Sequence, residues 1–289
     1  LASFEVTPKV KRRAQRTGAE EQWKNGGDHG IDRMNKLSQR IFRRWWVHRL
    51  RRKLDVGEPE LVRLGTAHGG WSVPAAAIQS KGTAVCVGAG EDISFDVELN
   101  KRGFNVLTVD PTPRAKAHVA SVLDAAKGGL PAAINNSSSD FYELEGFNEA
   151  RFKFIDVGVW NENTSMRFFA PKNPKHVSHS IVNLQGTNEW FEAKCETLQT
   201  ICNSHKINQI DILKLDVEGS EYTVLENVVQ SGMLPHILCV DFDEIWNPID
   251  SAVMERILAT VDLLANSAYK FLHVDNSNAL FARETSIIR

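Results

Sequence analysis

A chain of 289 residues, 42% hydrophobic and 24% charged, carries enough apolar material for one sizeable core and a small additional segment. No run approaches the roughly 18 apolar residues of a membrane span, and the first thirty residues hold no secretory apolar stretch, so a cytoplasmic location is the expectation. Cys86, Cys195, Cys202 and Cys239 form no Cys-x-x-Cys pair, which argues against zinc and for buried free thiols.

The net charge of −2 conceals an asymmetry, because residues 1–57 hold 15 Lys/Arg against 6 Asp/Glu. Residues 1–35 lack periodicity and read as a loosely ordered arm. A basic helical segment is expected over 36–79: Lys36 to Lys53 contains eight Lys/Arg and no acid, and Phe42, Trp46, Leu50 and Leu54 recur every four residues. Such a stripe needs a partner. The remainder of the chain, a second copy in a homo-oligomer, or a membrane surface met by residues 36–54 would each serve, and a nucleic-acid partner is not expected.

From residue 80 onward, strands and helices alternate. Ala84 to Gly88 is a short apolar run ending in glycine, Ser94 to Arg102 has helical spacing, and Val106 to Val109 is a second strand ending at Asp110. A helix is expected from Arg114, then a loop from Gly128 to Ser139, then a third strand from Arg151 to Val159. Asn161-Glu162-Asn163 reads as a turn into Ser165 to Ala170, a hairpin expected to extend the sheet. Further on, Cys195 to His205 reads as helix, Ile210 to Leu215 as buried strand, and Glu221 to Gln230 as helix stopped by Gly232. Ile237 to Phe242, Ala252 to Ala265, and two strands flanking the turn Asp275-Asn276-Ser277-Asn278 complete the pattern. It describes a mostly parallel sheet covered by helices, with ligands outside the carboxyl ends of its strands.

Chemistry concentrates at those ends. Gly88-Ala89-Gly90 follows a strand directly, and Asp110 lies twenty residues beyond Gly90 at the next strand tip, a spacing that suits a ribose diol. A dinucleotide fingerprint wants a third glycine where Ile93 stands, and Glu91 and Asp92 would repel a pyrophosphate while favouring a ligand with ammonium and sulfonium charges. An NAD-dependent oxidoreductase is therefore the weaker alternative, and a non-catalytic scaffold on the same fold is a third. No Gly-x-x-x-x-Gly-Lys-Ser/Thr or Gly-x-Ser-x-Gly is present.

Three blocks resemble the FkbM-type methyltransferases, a class I S-adenosylmethionine-dependent group: Val85 to Gly90 running on to Phe95, Val109-Asp110-Pro111-Thr112-Pro113, and Lys214-Leu215-Asp216-Val217-Glu218-Gly219 with its following helix. The resemblance covers residues 80–283 and implies a Rossmann-like α/β fold over 80–289, with a mostly parallel seven-stranded sheet closed by an antiparallel C-terminal hairpin. It departs from the family pattern at Cys86 and at Glu91-Asp92. It implies S-adenosyl-L-methionine as cofactor and O-methylation of a carbohydrate or secondary-metabolite hydroxyl. It further implies that Gly88, Ala89, Gly90, Glu91, Asp92 and Ser94 hold the methionine end, that Asp110 and Pro111 border the ribose, that Asp156 and Val157 lie near the adenine, and that Glu218 stands on the cofactor side.

Asp216 is the first candidate for a general base, with pairing to Lys214 or capping of the helix at Ser220 as its alternative role. Trp71, after His68-Gly69-Gly70, is a candidate to contact the acceptor, its alternative being a place in the core. Asp243 and Glu244 are expected on the acceptor rim. No metal site is predicted, although Asp216 with the 241–244 acids leaves room for a divalent ion. Of His176, His179, His205 and His236, at most one is expected to act as a base.

Overall fold

The computed structural model describes residues 45–55, 59–79, 81–173 and 176–283. The expected arm at 1–35 and Phe42 lie outside them. In chain order the strands of the main sheet are β3 (Thr83–Val87), β4 (Asn105–Val109), β5 (Phe152–Ile155), β9 (Ile212–Leu215), β10 (Ile237–Asp241), β11 (Tyr269–Asp275) and β12 (Asn278–Arg283). They lie in the order β11-β12-β10-β9-β3-β4-β5. Neighbours from β10 to β5 are parallel, and β12 runs antiparallel to both β10 and β11. This is the expected seven-stranded sheet with its reversed hairpin, whose turn places Asn276 at φ 53°.

The central strands are apolar on both faces because both faces are covered. Val85 and Val87 of β3, Leu213 and Leu215 of β9, and Leu238 and Val240 of β10 enter one core cluster, whereas Ala84, Cys86, Ile212, Ile237 and Cys239 enter another. Burying each Val, Ile or Leu contributes roughly 1.5–3 kcal/mol. The first face is covered by α4 (Leu198–Ser204), α5 (Glu221–Ser231) and α6 (Val253–Asn266) through Ile201, Leu225, Val228, Ile257 and Val261. The second is covered by α2 (Ser94–Lys101) and by the hairpin of β1 (Leu61–Leu64) and β2 (Trp71–Pro74), with Phe95, Leu99, Leu64 and Trp71 packed inward. All four cysteines are buried and free.

The basic stripe finds its partner within the chain over the described residues. Helix α1, described from residue 45 to residue 51, sinks Trp46 and Leu50 into the first core, where Trp46 meets Phe242 edge-on at 6.4 Å. Leu54 packs beside them, and Asp55 ties the segment to β11 through its backbone N–H to the Phe271 carbonyl and through Oδ2, which accepts from Phe271 N.

Three expectations are corrected. The basic segment expected to be helical over 36–79 is, among the described residues, α-helical only at 45–51 and then forms the antiparallel β1-β2 hairpin. The hairpin after the third strand does not extend the main sheet: β6 (Gly158–Val159), β7 (Thr164–Phe169) and β8 (Trp190–Glu196) form a separate sheet in the order β6-β8-β7. The chain leaves the main sheet after Ile155. Cys195 also lies in strand β8 rather than helix, and α4 starts at Leu198 behind the Thr197 cap, whose hydroxyl accepts from Thr200 N at 3.1 Å. Cys195, Leu198 and Ile201 have helical spacing only by coincidence across a strand-to-helix junction.

Candidate active site

The chain moves outward from β3 to β4 and β5, then returns to the other side of β3 with β9 and β10. That reversal leaves a crevice at the carboxyl ends of β3 and β9, the usual ligand position in an open parallel sheet. A cavity of about 320 Å³ occupies it, within the size range of small-molecule sites. Gly88, Ala89, Gly90, Glu91, Asp92, Asp110, Pro111, Asp216 and Glu218 all line it, so the sheet gathers three distant sequence blocks around one space.

The blocks interlock. Gly88 has φ 89°, and a Cβ there would stand 1.9 Å from the Asp216 carbonyl oxygen, so only glycine allows the two strand tips to touch. Asp110 is the hub: Oδ2 accepts from Ala89 N at 2.8 Å and Gly90 N at 3.1 Å, and Oδ1 accepts from Thr112 N at 2.7 Å and Thr112 Oγ1 at 2.6 Å. Thr112 in turn caps helix α3 (Pro113–Ala126), with Pro113 at its first turn. One carboxylate thereby sets the glycine loop and the next helix together.

The acidic turn is less bare than its sequence suggests. Arg114 grips Glu91 with two hydrogen bonds, Nε to Oε1 at 3.0 Å and Nη2 to Oε2 at 2.8 Å. Asp92 accepts from Ser94 N at 2.9 Å and Thr66 Oγ1 at 2.6 Å. The repulsion expected for a pyrophosphate is thus offset at Glu91, and the acidic character of the cavity comes more from Asp92 and Asp110.

Lys214 is the cation among them, and sequence reasoning gave it only a subsidiary part. It is 2% exposed in the centre of the sheet, donates to the Gly88 carbonyl and lies 3.2 Å from Asp216 Oδ2. Burial opposes its charge, but the carboxylates of Asp216 and Asp96 outweigh that and raise its pKa. The pairing named as the alternative role of Asp216 is therefore present, while Asp216 still lines the cavity. The signal was a lysine inside the apolar run Ile212-Leu213-Lys214-Leu215.

Glu218 adopts φ 54°, a left-handed conformation that costs a non-glycine residue about 1 kcal/mol. Ser180 Oγ donates to its carbonyl and its N–H donates to Asp243 Oδ2 at 3.1 Å, which holds the turn. Burial, then the charge of Asp216, pushes its carboxyl up to about 7.

Six expected site residues do not line the cavity. Ser94 is buried beneath the loop, its Oγ accepting from Thr66 N. Asp156 turns outward to Lys116 at 2.6 Å and Val157 packs on the core, while Gly158 and Val159, where the chain crosses to the second sheet, reach the cavity instead. Trp71 is 4% exposed in the core, although His68 and Gly69 beside it do line the cavity. Glu244 is fully buried in an ion pair with Arg256, and Asp243 is buried under the Glu218 turn. The loop residues Val177, Ser178 and Ile181 were missed because their segment carries no motif; the fold alone brings them over the strand tips. His179 is the member of the four candidate histidines that reaches the cavity.

S-adenosylmethionine fits this donor set: a crevice at the strand tips whose carboxylates outnumber its cations suits a ligand bearing ammonium and sulfonium charges. The alternative nicotinamide reading loses ground, since Ile93, at the place of a third glycine, is completely buried. No curated protein matches the sequence. Among solved structures, the chain is similar to the fibrillarin pre-rRNA processing protein of Methanococcus jannaschii, at 11% identity and TM-score 0.38 over 80% of this chain and 84% of that one. It is also similar to magnesium protoporphyrin IX methyltransferase from Synechocystis with bound SAH, at 10% identity and TM-score 0.32 over 93% and 95%. Residues 85–245 match the methyltransferase FkbM domain. They span both halves of the crevice, and the chain belongs to this family of S-adenosylmethionine-dependent methyltransferases.

Proposed function

We propose that the protein methylates a hydroxyl oxygen of a carbohydrate or other secondary-metabolite acceptor. The observation that carries this reading is that proton-accepting groups, Asp216 and His179, line the same cavity as the glycine loop. When bound, S-adenosylmethionine supplies a methyl group already activated by its sulfonium. The residues of the chain then have two tasks, alignment of the acceptor oxygen and removal of its proton.

Asp216, held by Lys214, is suited to fix the acceptor hydroxyl by accepting its hydrogen bond. His179 is the proton acceptor. Its Nδ1 lies 3.0 Å from the Val177 carbonyl, which can only accept, so Nδ1 carries the hydrogen and Nε2 of the neutral ring presents a lone pair. As the O–CH3 bond forms and the S–CH3 bond breaks, the hydroxyl proton passes to Nε2. The acceptor is a small molecule or glycan that enters the open cavity.

Incubation with isotopically labelled S-adenosylmethionine and cell-derived glycans and metabolites tests the reading by mass spectrometry and NMR. Products gaining one CH2 with the label on oxygen are expected; label on nitrogen or carbon would overturn it. His179→Gln is expected to lower kcat by about 100-fold or more with cofactor affinity within about threefold. An unchanged kcat removes His179 from the role.

A further inference from the structure

Asp216 belongs to a second group beside the cavity. Strands β9 and β10 pair in parallel with Leu215 opposite Val240, so Asp216 and Asp241 emerge side by side, and Asp243 follows in a short 3-10 turn. One carboxylate oxygen from each of the three lies within 4.8 Å of the others. Oxygens that share a hard cation at about 2.0–2.6 Å stand no more than about 5 Å apart.

The second observation is an orphan. Asp241 Oδ1 is buried with no hydrogen-bond partner among the described residues, although it sits in this group, and Glu221 Oε2 nearby is in the same state. An unsatisfied buried carboxylate oxygen is costly. Lys214 offsets one of the three charges through Asp216, and Arg256 is engaged by Glu244 and Asp250, so among the described residues Asp241 and Asp243 have no ion pair of their own.

Each ligand is also oriented from behind. Lys214 holds Asp216 Oδ2, the Glu218 N–H holds Asp243 Oδ2, and Ser277 hydrogen-bonds the Asp241 carboxyl. One oxygen of Asp216 and one of Asp243 are anchored in this way, and Asp241 keeps Oδ1 without a partner among the described residues, the arrangement by which outer partners fix metal-binding carboxylates.

We propose that Asp216, Asp241 and Asp243 bind one hard divalent cation, of the Mg2+ or Mn2+ type, at the edge of the cavity. Three carboxylate oxygens leave the remaining positions to water or to an incoming oxygen. An acceptor hydroxyl in one of them becomes more acidic beside His179. That last role rests on the hydroxyl acceptor proposed above; cation binding does not, so a failed titration leaves methyl transfer standing.

The full chain, freed of metal by chelator, is titrated with Mn2+ while free ion is read by electron paramagnetic resonance. One site with a dissociation constant between about 1 μM and 1 mM is expected, competed by Mg2+ and weakened about tenfold or more in Asp241→Asn and in Asp243→Asn. Mn2+ should raise the melting temperature of the unsubstituted protein and leave that of either variant nearly unchanged. Both substitutions remove a charge from a crowded acidic group, so folding is expected to survive. No Mn2+ bound at about 1 mM by the folded protein, or equal binding in both variants, overturns the proposal.

Discussion

Asp110 illustrates how a residue read as a ligand contact can be a structural hub as well. Its four hydrogen bonds are all internal, so Asp110→Ala strips buried donors on the glycine loop and on Thr112 of their acceptor. A loss of about 3 kcal/mol in denaturant unfolding is expected together with weaker cofactor binding. A residue that only met the ribose would lose affinity alone. Asp96, buried on α2 beneath the sheet and bonded by Thr108, is raised from 3.8 to about 6, by burial first. The native state therefore binds more protons than the unfolded chain in this interval, and stability falls as pH rises through it. Asp96→Asn lacks this dependence: its stability relative to the parent should grow by about 2 kcal/mol between about pH 4 and pH 6.5. A difference that stays constant over that range would falsify the assignment.

At the scale of elements, strands with continuous apolar runs were legible because burial on both sheet faces writes itself directly into β3, β9 and β10. Strand β8 was not, since it alternates exposed and half-buried residues outside the main sheet and joins α4 without a turn signal. The β1-β2 hairpin lies inside the stretch expected to be helical, because its two four-residue strands are too short to show an alternation of their own, and it carries His68 and Gly69 to the cavity. Helix α1 was anticipated from a stripe whose partner the sequence left open; the core takes it. Trp46→Ala should cost about 3–5 kcal/mol, read by chemical denaturation, because it empties a ring-sized volume against Phe242. A loss below about 1 kcal/mol would mean that α1 does not share the cooperative unit.

For the whole molecule, the crevice is assembled from chain segments around residues 68, 89, 110, 179 and 216, so ligand binding must stabilise the entire fold. S-adenosylmethionine at about 100 times its dissociation constant should raise the melting temperature by about 5 °C, while NADH at equal concentration should leave it unchanged. Among the described residues no helix is long and apolar enough to cross a membrane. The sequence by itself determined the alternating α/β order, the parallel sheet with its reversed hairpin, and the Gly88, Asp110 and Asp216 tips, because strand burial and tight turns are local demands on residue type. Only the tertiary structure decided which side chains face the cavity. Lys214 meeting Gly88, Arg114 closing on Glu91, Trp71 turning inward and Asp241 standing beside Asp216 depend on strand pairing and packing between residues far apart in the chain, and no local pattern encodes those distances.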